Sequence, residues 1–237
     1  MAIVFTISSI LGVVPIALWL MFFLWQDIKK PEPLKWLLIL FGVGILITPL
    51  VWYGEGLLMK VLKIDLNTNL SLSSVITVYS GIAIIEELTK FFSASLVLKK
   101  NKYFDEAIDV MIYLIILALG FGLVENILAA SQEINEGNLL LSVLQTMSLR
   151  FVGANLLHAL SSGIIGYFWA LKLMLKKNYF LYEGLILGIL LHAVFNIAII
   201  KFGGPAVFFV SLGLFLTAIF LLWAFDSLKT IKKPIKY

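Results

Sequence analysis

An all-α, multi-pass membrane bundle of about seven transmembrane helices is the fold this sequence predicts, on three observations. The 237 residues are 61% hydrophobic and only 14% charged, where a soluble domain carries about 25% charged residues. Apolar runs of about 20 residues, the length needed to cross a hydrocarbon core, recur along the chain. Lysines gather in alternate connections between those runs. Helix is the economical choice: seven segments do not close a barrel, and each backbone group in lipid needs an internal partner. A single integral membrane domain, 1–237, is expected, with almost no chain left over for a soluble domain and with the chemistry in a core of about 73–201.

The first run, 3–25, is longer than the apolar core of a secretion signal and lacks a basic leader and a small-residue cleavage site, so it reads as a retained span. Pro31 and Pro33 break the chain before the second, 35–58. The third, 73–98, carries Glu86, Glu87 and Lys90 in its middle. The fourth, 107–130, is closed by the polar stretch Ser131–Asn138. Leu139–Leu149 is apolar but too short to span, and reads as an interfacial or re-entrant helix or an extension of the fifth run, 150–175. The sixth, 180–201, is parted from the seventh, 206–226, by Gly203-Gly204-Pro205.

One set of connections holds Lys29, Lys30, Lys35, Lys99, Lys100, Lys102, Lys172, Lys176 and Lys177, and the tail adds Lys229, Lys232, Lys233 and Lys236. The opposite set holds only Lys60, Lys63 and Lys201. Cytoplasmic connections carry the excess of lysine, so the amino terminus is expected outside and the carboxyl terminus in the cytoplasm. The net charge of +4 thus reports orientation, and no nucleic-acid partner is expected. Absence of cysteine excludes disulfides, thiolate catalysis and cysteine-held metals.

A carboxylate at the centre of a spanning helix costs about 2.5–3.5 kcal/mol on insertion scales, so Glu86 and Glu87 call for partners or a function. Counted at 1.5 Å per residue from the cytoplasmic helix ends, Glu86 and Glu87 lie about 17 Å deep, His192 about 18–20 Å, His158 about 25 Å and Glu125 about 27 Å. These residues, from four helices, are expected to meet in the outer half of the bundle, as a bundle-core site requires. Asn196 shares a helical face with His192, and Ser161 and Ser162 share one with His158. Lys90 and Asp109 count to the cytoplasmic side and, with Arg150, read as structural.

Two carboxylates, two imidazoles and an amide suffice for hydrolysis. A carboxylate takes a proton from water as general base, and histidine or asparagine donates to the developing oxyanion. The same Glu/His set also suits a zinc ion, although no HExxH motif is present. No Gly-x-Ser-x-Gly elbow supports serine chemistry, and Asp109 alone is a membrane aspartate.

The ordered blocks Glu86-Glu87-x-x-Lys90, Phe104-Asp105-Glu106-x-x-Asp109-x-x-x-Tyr113 and Gly120-Phe121-Gly122-x-x-Glu125-Asn126, followed by Arg150 with His158 and by His192-x-x-x-Asn196, resemble the PrsW family of intramembrane proteases. The match runs from about Gly81 to Asn196. That family is grouped with the CAAX prenyl endoproteases and, more distantly, the scaffold subunit of gamma-secretase. Two departures stand out: Val110 follows Asp109 where the family usually has glycine, and the paired-glutamate block ends in Lys90 where CAAX proteases have arginine.

The resemblance implies cleavage of a single-span, membrane-anchored protein, such as an anti-sigma factor, at or near the extracytoplasmic face. Glu86, Glu87, His158, His192 and Asn196 are the expected catalytic residues. If zinc is used, Glu87, Glu125, His158 and His192 are its expected ligands. Two rivals stay open: a non-catalytic scaffold for other transmembrane helices, and a proton- or ion-coupled transporter, for which the inverted repeats such transporters show are not evident in the sequence.

Overall fold

The computed structural model describes residues 2–28, 30–64, 70–135 and 140–231. Lys29, Lys232, Lys233 and Lys236, used above for orientation, and residues 136–138 of the polar stretch lie outside them. Within the described residues the chain is helical, with no strand. The helices are α1 (Ala2–Trp25), α2 (Leu34–Leu62), α3 (Leu72–Leu98), α4 (Ala107–Asn135), α5 (Leu140–Arg150), α6 (Leu156–Leu175), α7 (Tyr179–Phe202) and α8 (Gly204–Lys229).

Five stretches among the described residues are long and apolar enough to cross a membrane: Leu34–Leu62, Ala107–Glu133, Val143–Leu175, Tyr179–Phe202 and Ala206–Lys229. Ile10–Trp25 adds a shorter apolar helix, and α3 has 27 residues, the length of a span, around its three charged side chains. The chain is a multi-pass membrane protein. Ser71 caps α3, its hydroxyl accepting from the Ser74 N–H at 3.1 Å, as an N-cap serine does for an otherwise unpaired amide.

Helix α4 is the axis of the bundle. Its side chains are buried from Ala107 through Phe121, and α1, α2 and α6 pack around it. A helix apolar on all sides is stable only when enclosed in this way. Gly120 permits the approach of α2, since a Cβ there would collide with the Phe41 carbonyl. On the other side α7 lies across α6 and α3. A Cβ on Gly188 would meet the Ser161 carbonyl at 2.9 Å, so glycine lets α7 bring His192 against α6. Small residues at such crossings let helix backbones approach closely in membranes.

The short apolar stretch proves to be an extension of the fifth span. From Leu140 the chain runs through α5 into a single wide π turn, Phe151–Asn155, and on into α6 without a break. The Trp19 indole N–H donates to the Phe151 carbonyl at 2.9 Å, tying that turn to α1. Such turns insert a residue into the helical register and recur at functional sites; here the turn directly precedes His158.

Ion pairs tie the loops at each end. Lys30 bonds Glu106 at 2.8 Å and Asp105 at 3.4 Å, and Lys229 reaches Gln26 at 3.5 Å. At the other end Lys201 donates to the Leu70 carbonyl at 3.2 Å. The lysine-rich connections preceding α2 and α4 therefore meet the end of α8 at one end of the bundle.

Candidate active site

Glu86, Glu87 and Lys90 occupy the inward face of α3, opposite His158, Ser161 and Ser162 of α6 and His192 of α7, all of them buried. Lys90 Nζ donates to Glu86 Oε2 at 3.0 Å and Glu87 Oε1 at 2.9 Å, and lies 3.0 Å from His158 Nδ1. The cytoplasmic-side depth expected for Lys90 is corrected here. Its Cα lies a turn toward the loops, but its four-carbon stem carries the ammonium back up the helix into the centre of the site. The Phe121 ring, 4.4 Å from Nζ, backs the cation.

An ammonium only donates, so His158 Nδ1 must accept, and the ring proton sits on Nε2. Nε2 lies 2.9 Å from Glu125 Oε2 and donates to it. Arg150 holds that carboxylate at 3.1 Å and, through Nε, Asn126 Oδ1 at 2.6 Å. Asn126 in turn donates to the Gly12 carbonyl of α1 at 3.2 Å. Arg150, read as structural, and Glu125, expected either as a ligand or as support behind one, both stand behind His158 and fix its ring.

The two glutamates have different surroundings. Glu87 Oε1 accepts from Lys90, from His192 Nδ1 at 2.8 Å and from Ser161 at 3.2 Å, while Oε2 accepts from Ser162 at 3.3 Å. Because Glu87 takes the Nδ1 proton, His192 presents a bare Nε2, 3.8 Å from Glu86 Oε1. Among the described residues Glu86 receives a hydrogen bond from Lys90 alone, on Oε2. Glu87 is saturated; Glu86 retains an oxygen free to take a proton.

Ligand atoms of Glu86, Glu87, His158 and His192 all lie within 4.8 Å of one another, close enough for one ion to bridge them. Two imidazoles with carboxylates are a known donor set for catalytic zinc. Glu55 of α2 lies within electrostatic range of Glu86, Glu125, Lys90 and His192. The converging carboxylate and imidazole donors fit a divalent metal.

Asn196 lies one turn beyond His192 and lines a cavity of about 340 Å³ together with Arg150, Gly153, Ala154 and residues of α8. A different asparagine lies beside His158. Asn155, in the π turn, is fully buried, with neither amide atom hydrogen-bonded among the described residues. It lies one turn before His158, and both would touch a Cβ on Gly122, at 3.3 and 3.5 Å. A buried amide without partners calls for a water or a ligand. Its i, i+3 spacing to His158 was the available sequence signal; Glu55 offered none beyond being an acid near the end of an apolar run.

A multi-pass helical bundle whose core buries paired glutamates against two histidines defines an intramembrane hydrolase class. Residues 32–224 match the family described as PrsW family intramembrane metalloprotease. Over 191 residues the chain is 30% identical to Protease PrsW of Clostridioides difficile (strain 630), covering 79% of this chain and 76% of that protein. It is 28% identical over 187 residues to Protease PrsW of Geobacillus kaustophilus (strain HTA426), covering 78% and 76%. No solved structure matches the chain. The chain belongs to the PrsW family of intramembrane metalloproteases.

Proposed function

We propose that this chain cleaves a single-span membrane protein, an anti-sigma factor being one such substrate, at or near its extracytoplasmic side, with Glu86 as the proton acceptor. The observation that carries the reading is the asymmetry of the glutamates: Glu87 accepts four hydrogen bonds, Glu86 one. Glu86 takes a proton from water and delivers it to the leaving amine, as a general base and then acid. Glu87 orients His192, and Glu125 orients His158. Asn155 donates its free amide N–H to the scissile carbonyl oxygen as negative charge develops there, the contribution of an oxyanion donor. Lys90 balances the two carboxylates and stabilises the same charge.

Glu87, His158 and His192 would hold a zinc ion, Lys90 giving up its bonds to Glu87 and His158 and Glu86 staying free as the proton acceptor. When bound, zinc supplies Lewis acidity toward the carbonyl and an acidified water. The site's side chains are closed off from the surface, so substrate approach requires an opening. The cavity bordered by Arg150 and Asn196 adjoins it, because Arg150 reaches His158 through Glu125. A substrate segment entering there meets Asn196 first, which gives Asn196 a binding role. With the lysine-rich loops in the cytoplasm, this entrance lies on the outer side, the amino terminus outside and the carboxyl terminus inside.

The test is cleavage of a single-span substrate with an extracytoplasmic segment by reconstituted protein, with chelator and with zinc restored. Cleavage on the outer side, lost with chelator and recovered with zinc, is expected. Intact substrate under all conditions would favour a non-catalytic scaffold.

A further inference from the structure

A second group of buried acids lies at the loop end of the bundle. Asp27 is in the turn after α1, Glu32 stands between Pro31 and Pro33 before α2, and Asp109 is in the first turn of α4. Ligand atoms of all three lie within 4.8 Å of one another. Along α4, Asp109 is 16 residues from Glu125, about 24 Å at the helical rise, so the group is separate from the Glu/His site.

The carboxylates are fixed in part and unpartnered in part. Asp109 Oδ2 accepts from the backbone N–H groups of Asp105 and Glu106, at 3.0 and 2.7 Å. Its side chain also shares a hydrogen bond with the Glu32 carboxyl group. Tyr113, itself accepting from Asn101 at 2.9 Å, donates to Glu32 Oε2. Asp27, 8% exposed, has a buried Oδ2 with no hydrogen-bond partner among the described residues. The prolines fix the backbone φ on either side of Glu32 and so limit its reach.

No ion pair joins these three acids to a lysine or arginine among the described residues: Lys30 pairs with Asp105 and Glu106, and Lys229 with Asp226. Unpaired buried carboxylates are costly. A cavity of about 530 Å³, lined by Asp27, Lys30, Glu106 and Lys229, opens beside the group and provides a way in.

We propose that Asp27, Glu32 and Asp109 bind a hard divalent cation of the magnesium, manganese or calcium class, which clamps the α1–α2 connection to the start of α4. The donors are all oxygens, the preference of those ions, and imidazole and thiolate are absent from the set. The ion would take Asp27 Oδ2, which has no partner among the described residues, and replace the proton shared by Asp109 and Glu32, so that all three carboxylates face one cation. This differs from the Glu/His site in both donor chemistry and purpose, since it braces the fold.

Manganese(II) binding to metal-stripped protein in detergent, followed by loss of the free-ion EPR signal and by competition with magnesium, tests the site. Asp27→Asn should weaken binding by at least about tenfold, the scale of damage to a metal site, whereas His192→Ala should leave this affinity unchanged. Asp27→Asn retains every hydrogen bond that organises Asp109 and Glu32, so it should fold even if Asp109→Asn does not. Magnesium should raise the melting temperature of the wild type and not of Asp27→Asn. Without metal, Asp27→Asn should melt above the wild type, because one repelling charge is gone. No manganese binding by the wild type, or binding lost in His192→Ala but kept in Asp27→Asn, would overturn the proposal.

Discussion

The two buried acid clusters use the same functional group to opposite ends. Around Glu86 and Glu87 each carboxylate has a cationic, imidazole or hydroxyl partner, and one oxygen, on Glu86, is spared. Around Asp27, Glu32 and Asp109 the partners are backbone amides, one phenol and a hydrogen bond shared between Asp109 and Glu32, and no lysine or arginine forms an ion pair with the three among the described residues. The first arrangement stores a proton acceptor within a largely neutralised network. The second leaves a charge deficit that an external ion can fill. Burial alone therefore does not mark a catalytic carboxylate; the pattern of its donors does.

Removing Lys90 should break the comparison most severely. Lys90→Ala leaves Glu86 and Glu87 buried without their shared cation, and loss of one partner of a buried pair costs about 3–5 kcal/mol. Denaturation of the detergent-solubilised protein should show that loss, while Lys30→Ala, on the exposed pair, should change little. Restored stability in Lys90→Arg, with activity still impaired by the wider head group, would sharpen the separation between charge and geometry.

Glu125→Gln should act less on stability and more on rate. It keeps an oxygen facing His158 but loses the charge that orients the ring and holds Arg150, and partners behind a ligand typically matter about 10–100-fold. A measured effect on cleavage below twofold would mean that His158 is held by other contacts. Tyr113→Phe should be smaller still. It removes one donor from Glu32, worth about 1 kcal/mol, and the deficit should be partly restored by millimolar magnesium if an ion sits there. Because a chelator would strip an ion from either cluster, zinc and magnesium must be restored separately in any activity assay.

Most of the bundle was legible from hydropathy. Spans near 35–58, 107–130 and 206–226 became α2, α4 and α8 with slightly longer ends. The continuity of α5 with α6 was legible only as one of several options, because a π turn has no hydropathy signature. Helical depth set Glu86, Glu87, Glu125, His158 and His192 at similar levels, and their side chains lie together in the fold. It failed for Lys90 because depth counts Cα positions and a lysine side chain extends more than one helical rise. The different surroundings of adjacent Glu86 and Glu87 depend on helix rotation and on which serines of α6 face α3, neither of which a run of residues specifies. Asp27 and Glu32 were passed over because acids in a short loop ordinarily face water; only packing of α4 against that loop buries them.

The most direct test is the cleavage rate of Glu86→Gln in reconstituted protein, with the melting temperature of the same preparation taken alongside Glu87→Gln. The amide that replaces the Glu86 carboxylate can still accept from Lys90 but cannot take up a proton. Cleavage should therefore fall by about 10²–10⁴-fold, the usual contribution of a general base, at near-wild-type melting temperature. Glu87→Gln should lose activity together with stability, because an amide cannot satisfy four donors. Wild-type cleavage by Glu86→Gln, in protein that melts as the wild type does, would contradict the assignment of Glu86 as proton acceptor.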